Sequence, residues 1–200
     1  MKKVLKGEFG YINYRKKTGI LRTAVLLAVL VLVFVLGLVI FGSSRNYLSI
    51  LAALLSLPTG WSGVNMIMFL RAKPCSDADH EVILQHAGSL LIHYDHLITS
   101  YDRNFCVSAS TVLDKNIICY LSDDDSDPSD LEKHIKKMMA QNGYSSYSVK
   151  VFDDLKKFCE RLTQLESLRK DKKIDPVKIE NDWVPGTVQT PAGILISISL

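Results

Sequence analysis

Eighteen consecutive residues, AVLLAVLVLVFVLGLVIF from Ala24 to Phe41, carry no charge and no polar side chain. A helix built from them is apolar on every face, which a water-solvated surface does not accept. At about 1.5 Å of rise per residue the run is roughly 27 Å long, close to the hydrocarbon thickness of a bilayer. Arg22 precedes it, and Ser43, Ser44 and Arg45 follow. The run therefore predicts a membrane span over residues 23–42.

A second stretch, YLSILAALLSLPTGWSGVNMIMFL from Tyr47 to Leu70, has no ionisable group but Tyr47 and is long enough for a second, somewhat tilted span over 47–70. Pro58, Gly60 and Gly63 loosen its middle, where Thr59, Ser62 and Asn65 add polarity. The expected form is a kinked helix whose freed carbonyls are satisfied by Ser and Thr side chains or by the neighbouring helix. A broken helix lining a transport path over Pro58–Asn65 is the alternative, and two spans are few for it unless several copies assemble. Ala52, Ser56 and Gly60 place small residues four apart on one face, which allows close helix packing against the first span or a second copy.

Charge sets the expected direction. Residues 1–22 hold Lys2, Lys3, Lys6, Arg15, Lys16, Lys17 and Arg22 against Glu8 alone, the juxtamembrane pattern retained in the cytoplasm. Arg45 is the one charge between the spans, and Arg71 and Lys73 follow the second. The chain thus reads as a multi-pass protein of the cell membrane with both termini cytoplasmic. Residues 1–22 read as a basic arm on anionic inner-leaflet lipids, each Lys or Arg contributing about 1 kcal/mol. Phe9, Tyr11 and Tyr14 are expected at the interface. A cleaved signal peptide fits less well, because the apolar core is longer than usual and the second span would still hold the product in the membrane. Residues 72–200 carry fifteen basic and twenty acidic side chains, so the net charge of +3 describes no nucleic-acid surface. Cys75, Cys106, Cys119 and Cys159 form no CxxC pair and read as buried thiols of a reducing compartment.

After Pro74 the pattern becomes that of a small α+β domain, residues 75–173, in the order α-β-β-β-α-β-α. DADHEVILQHAG is a helix ended by Gly88, and SLLIHYDHLITSY, FCVSASTVL and NIICYLS are three antiparallel strands separated by turn residues. Asp127-Pro128 with Asp130 begins a helix whose apolar face is Leu131, Ile135, Met138 and Met139. YSSYSVKVF is a strand, and Leu155, Phe158, Leu162 and Leu165 mark a helix packed on the sheet, its capping residue expected at Asp153. Residues 174–192 read as a linker. ILISISL, in residues 193–200, reads as a C-terminal strand that completes this sheet or a partner's.

Candidate chemistry is sparse. Asp123, Asp125 and Asp127 have the alternate spacing of a calcium loop, but the sixth and twelfth positions hold Pro128 and His134 where glycine and glutamate are needed. The densest set of ligand-type residues is HYDH, with His93, Asp95 and His96 as candidate metal ligands and His80 or His86 as possible additions. Regular strand alternation would point His93 and Asp95 one way and Tyr94 and His96 the other. The strand order also resembles the restriction-endonuclease core, with Asp95 or Asp102 as its first acid, but IICYLS supplies no second acid or lysine. No nucleotide-binding or common hydrolase signature is present. No catalytic residue and no cofactor are assigned.

KGEFGYINYRKK at 6–17, NMIMFLRAKPCS at 65–76, SYDRNFCVS at 100–108 and VKVFDDL at 149–155 resemble an uncharacterised family of small two-span membrane proteins from anaerobic Gram-positive bacteria. The resemblance implies the architecture and attaches no activity. The expected function is a non-enzymatic, membrane-anchored protein presenting a cytoplasmic α+β interaction or regulatory domain to a protein partner or to itself. The alternative is a membrane-tethered metal-dependent hydrolase using His93, Asp95 and His96.

Overall fold

The computed structural model describes residues 3–100, 103–122 and 126–200. Lys2, Asp102 and the Asp123–Asp125 part of the candidate calcium loop lie outside the described residues. The chain forms two compact units. One is Asn13–Ala72; the other joins the residues up to Ile12 with Lys73–Leu200.

The first unit is a helical hairpin. Helix α1 runs over Tyr11–Phe41 and α2 over Tyr47–Arg71. Asn46 makes the turn: its Oδ1 accepts from Ser49 N at 2.8 Å, capping α2, and its Nδ2 donates to Gly37 O at 3.0 Å and Ser43 O at 2.7 Å. Gly37 admits this approach, since a Cβ there would lie 2.8 Å from Asn46 Oδ1. The covered side of α2 passes through Ala52, Leu55, Thr59, Ser62, Met66 and Phe69, and that of α1 through Gly19, Thr23, Leu26, Leu30, Val33 and Gly37. Both rows alternate steps of three and four, the spacing of a coiled-coil seam. Of the expected small-residue series, Ala52 lies in this seam while Ser56 and Gly60 are exposed. Steps of four advance about 40° each around the helix, so the series drifts off the seam. Helix α2 is continuous through Pro58, with Ser56 and Thr59 hydroxyls donating to Ala53 O and Leu55 O in the preceding turn, as expected of a span repaired by Ser and Thr side chains and unlike the broken-helix alternative. Both helices are long and apolar enough to cross a membrane, and their most apolar windows are only 6% and 11% buried, unlike core helices of a soluble body.

The second unit contains α3 (Asp77–Ala87), β1 (Ile92–Thr99), β2 (Asn104–Leu113), β3 (Asn116–Leu121), α4 (Pro128–Gln141), β4 (Ser148–Phe152), α5 (Leu155–Lys172), α6 (Pro176–Asn181) and α7 (Pro191–Ile198). The sheet order is β1-β2-β3-β4; the first three strands are antiparallel, and β4 joins β3 in parallel after the α4 crossover. One face is packed by Ile83 of α3 and by Phe158, Leu162 and Leu165 of α5. The other is packed by Leu131, Ile135 and Met139 of α4 and by Ile194 and Leu195 of α7. The α5 leucines therefore serve the domain's own core. Asp154, one residue after the expected Asp153, caps this helix by accepting from Lys156 N at 2.8 Å.

Two expectations are corrected at the C-terminus. The 174–192 linker contains α6, and the expected C-terminal strand is helix α7. Asp175-Pro176 and Thr190-Pro191 each supply an N-cap and a first-turn proline, and the caps outweigh the alternation of isoleucines in ILISISL. Burial of Ile194 and Leu195 together is a helical pattern, and only Ser199 adds a single bridge to Ile98. A third correction concerns the arm. Residues 3–12 pack in the α+β unit: Tyr94 N donates to Gly7 O at 2.8 Å, and Phe9 stacks on His80 at 3.9 Å. Lys6 Nζ donates to the Ser199 carbonyl. Arg15, Lys16, Lys17 and Arg22 belong to α1. Gly7 and Gly10, at φ +87° and +85°, give the segment the turns it needs to follow the domain surface.

Candidate functional site

Strand β1 does not alternate regularly. Tyr94 packs in the core beneath α3 and α5, whereas Ile98, four residues on and expected on the same side, packs in the opposite core. The reset occurs at Asp95, whose φ is +56°, and is matched on β2 by an irregularity between Val107 and Ala109. Aspartate is among the few side chains that tolerate this conformation. His93 and His96 thereby come onto one side of the sheet, with ring centroids 6.2 Å apart. The alternation argued from the sequence fails at this residue.

Asp95 does not join them. Its side chain is 1% exposed and is occupied by main-chain donors: Oδ1 accepts from Cys75 N at 2.8 Å, and Oδ2 from Gly10 N at 2.9 Å and Ile12 N at 3.4 Å. One carboxylate thus fastens the segment that leads into α1 and the segment that follows α2 to β1. Negative charge beside the first N–H groups of α1 also complements the positive end of that helix. The HYDH aspartate is a structural clamp.

The histidines are different. His96 is 1% exposed, and burial, with His93 and the Lys6 ammonium nearby, pushes its pKa down to about 3. Burial lowers His93 as well. Both rings are neutral at pH 7, able to donate from one nitrogen and accept at the other. His93 Nε2, both nitrogens of His96 and Oγ of Ser110, which faces His93 across the β1–β2 ladder, are buried without a protein partner. His93 also lies on the wall of a cleft of about 320 Å³, otherwise lined largely by apolar side chains including Leu91, Val112, Tyr147, Ile174 and Ile179. Such a cleft can take an uncharged apolar group bearing one hydrogen-bonding atom.

The other sequence candidates lie elsewhere. His80 is held between Phe9 and Tyr94, and His86 Nδ1 is 2.9 Å from Val82 O of its own helix. Among the described residues no three His, Cys, Asp or Glu side chains are grouped to hold a metal ion. The pairing of His93 with His96 was missed because its signal is conformational: an aspartate in mid-strand, where that residue is depleted. All four cysteines are buried, and burial raises the Cys75 and Cys119 thiols to about 12. The fold and site define an α+β domain into which an apolar helical hairpin is inserted. Comparison with protein-family models, with curated proteins and with solved structures gives no match.

Proposed function

We propose that this chain is a non-enzymatic, membrane-anchored protein whose hairpin holds the α+β domain at the inner leaflet, where the domain binds a protein partner. The anchor rests on two long apolar helices that stay largely exposed. A cytoplasmic position for the domain and both termini rests on the basic residues flanking the hairpin. That the two flanks of the hairpin fold into one unit supports placing them on one side of the membrane.

One observation carries the interaction reading. Val177, Ile179, Val184 and Val188 are 47%, 52%, 59% and 70% exposed, yet the segment that bears them is ordered by its own bonds. Asp175 caps α6, Thr187 Oγ1 donates to Val184 O at 2.7 Å, Trp183 Nε1 to Val188 O at 3.2 Å, and Thr190 Oγ1 to Glu180 at 2.7 Å. Apolar side chains presented on a braced segment beside an apolar cleft mark a contact surface. The hydrolase alternative loses its carboxylate to the Asp95 clamp.

Affinity capture of the tagged full-length chain from gently solubilised membranes tests this. A partner recovered in stoichiometric amount with wild type, and lost with Val177→Asp/Val184→Asp, is the expected result. Equal recovery with both proteins moves the contact surface elsewhere. Turnover of a phosphoester by metal-loaded protein would replace this reading with the hydrolase.

A further inference from the structure

The hairpin carries a polar groove of its own. About 240 Å³ in volume, it is lined by Tyr14, Arg15, Thr18 and Arg22 of α1 and by Asn65 and Met66 of α2, among others. Arg15 and Arg22 are seven residues apart, so their stems leave α1 on one side, about 10 Å apart along the axis. Both heads are positioned: Arg22 Nε donates to Ser62 Oγ at 3.0 Å, and the Arg15 guanidinium carbon lies 4.9 Å from the centre of the Phe69 ring. Ser62 in turn shares a 2.8 Å hydrogen bond with Thr23. Two guanidinium forks held beside one small groove suit a phosphate, whose oxygens accept paired N–H bonds.

Electrostatics and depth narrow the ligand. Residues 13–72 contain six Lys and Arg and no Asp or Glu, so the field of this unit is positive. Arg22 stands two residues before the uncharged run, and Arg15 two turns further out. In a chain whose Ala24–Phe41 segment fills the hydrocarbon, those turns lie at the level of lipid headgroups. A zwitterionic headgroup would bring its ammonium against the arginines, whereas an anionic, hydroxylated one meets no such repulsion and offers hydroxyls to Tyr14, Thr18 and Asn65.

We propose that this groove is a binding site for the phosphate of an anionic phospholipid of the inner leaflet, with Arg15 and Arg22 as paired ligands. The inference rests on the membrane reading and adds a specific lipid site to it. The test uses the full chain reconstituted in mixed phosphatidylglycerol and phosphatidylcholine bilayers, with retained lipid counted by native mass spectrometry after detergent extraction. Wild type is expected to retain phosphatidylglycerol at least fivefold over phosphatidylcholine. Arg15→Gln/Arg22→Gln should abolish the preference, and Asn65→Leu, which leaves the charge unchanged, should weaken it. Arg45→Gln/Arg71→Gln removes the same charge outside the groove and should keep it, with circular dichroism confirming that each variant is folded. Equal retention of the two lipids by wild type, or equal loss in the two arginine pairs, overturns the site. Displacement of the lipid by inorganic phosphate would instead assign the groove to a soluble anion. Extraction of the chain from membranes by alkaline carbonate would defeat the anchor itself, whereas an integral protein without lipid preference defeats this inference alone.

Discussion

At the scale of single residues, Asp95 carries more of this structure than any motif suggests. It adopts a left-handed conformation inside a strand, resets the facing of β1, and satisfies three main-chain donors from two distant segments. Buried donors left without an acceptor cost about 1–3 kcal/mol each. Asp95→Ala should therefore destabilise the α+β unit by about 3–5 kcal/mol, whereas Asp95→Asn, which tolerates the backbone and keeps one acceptor oxygen, should cost about half as much. Chemical denaturation of the full chain in detergent measures both, and a loss confined to Asp95→Ala would show that backbone geometry rather than hydrogen bonding dominates. His96 gives the pH dependence its sign. Its folded pKa, about 3, lies below the ordinary 6.5, so the unfolded chain takes up the proton first as pH falls. Its neutral burial is without penalty above pH 6.5 and increasingly unfavourable from there down to about 3. Other groups titrate in that window too, so the informative quantity is a difference. Stability lost between pH 7 and 5 should be about 2 kcal/mol smaller in His96→Leu than in wild type, with His93 and Lys6 the charged or titratable neighbours that act on the ring.

At the scale of elements, what was legible follows from which signal is local. The order α3-β1-β2-β3-α4-β4-α5 could be read because each element carries its own period and punctuation, Asp127-Pro128 before α4 being the clearest. The same signal recurs at Asp175-Pro176 and Thr190-Pro191, where a proline-rich composition and an isoleucine alternation concealed it. The alternation in ILISISL describes a helix that buries Ile194 and Leu195 and turns Ile196 and Ser197 outward from that core. Of the site, the residue types in HYDH were readable, but their convergence was not, because facing depends on one φ angle that no period encodes. The hairpin shows a similar limit. Small residues four apart suggested the packing face, whereas the contact that leaves no room is Gly37 against Asn46. Gly37→Ala should lower the thermal stability of the hairpin by about 1–3 kcal/mol through overpacking and loss of the Asn46 cap. Gly60→Ala, with nothing within 4 Å of its Cβ position, should leave it unchanged or slightly raised. Melts in one detergent decide the comparison, and a larger loss at Gly60 would move the seam to the small-residue series.

At the scale of the whole molecule, the chain order constrains topology more than charge alone does. The segment up to Ile12 and the chain from Lys73 onward fold into one unit, with the hairpin inserted between them. Loss of the segment before Asn13 would remove main-chain donors that Asp95 needs and the Phe9 ring that covers His80. On the proposed two-span reading the chain returns to the side it left, and the basic flanks favour the cytoplasm as that side. The cysteines make this measurable. All four native thiols are buried, and Cys75 and Cys119 have pKa values raised to about 12, so they react poorly with maleimides. Cysteines introduced at Ser44, in the turn between the helices, and at Ser145, exposed after α4, should therefore report alone. A membrane-impermeant maleimide should label Ser44→Cys in intact cells and Ser145→Cys only after the membrane is opened. Labelling of Ser145→Cys from outside would invert the topology and remove the inner-leaflet interaction domain, while labelling of both positions in a soluble fraction would remove the anchor.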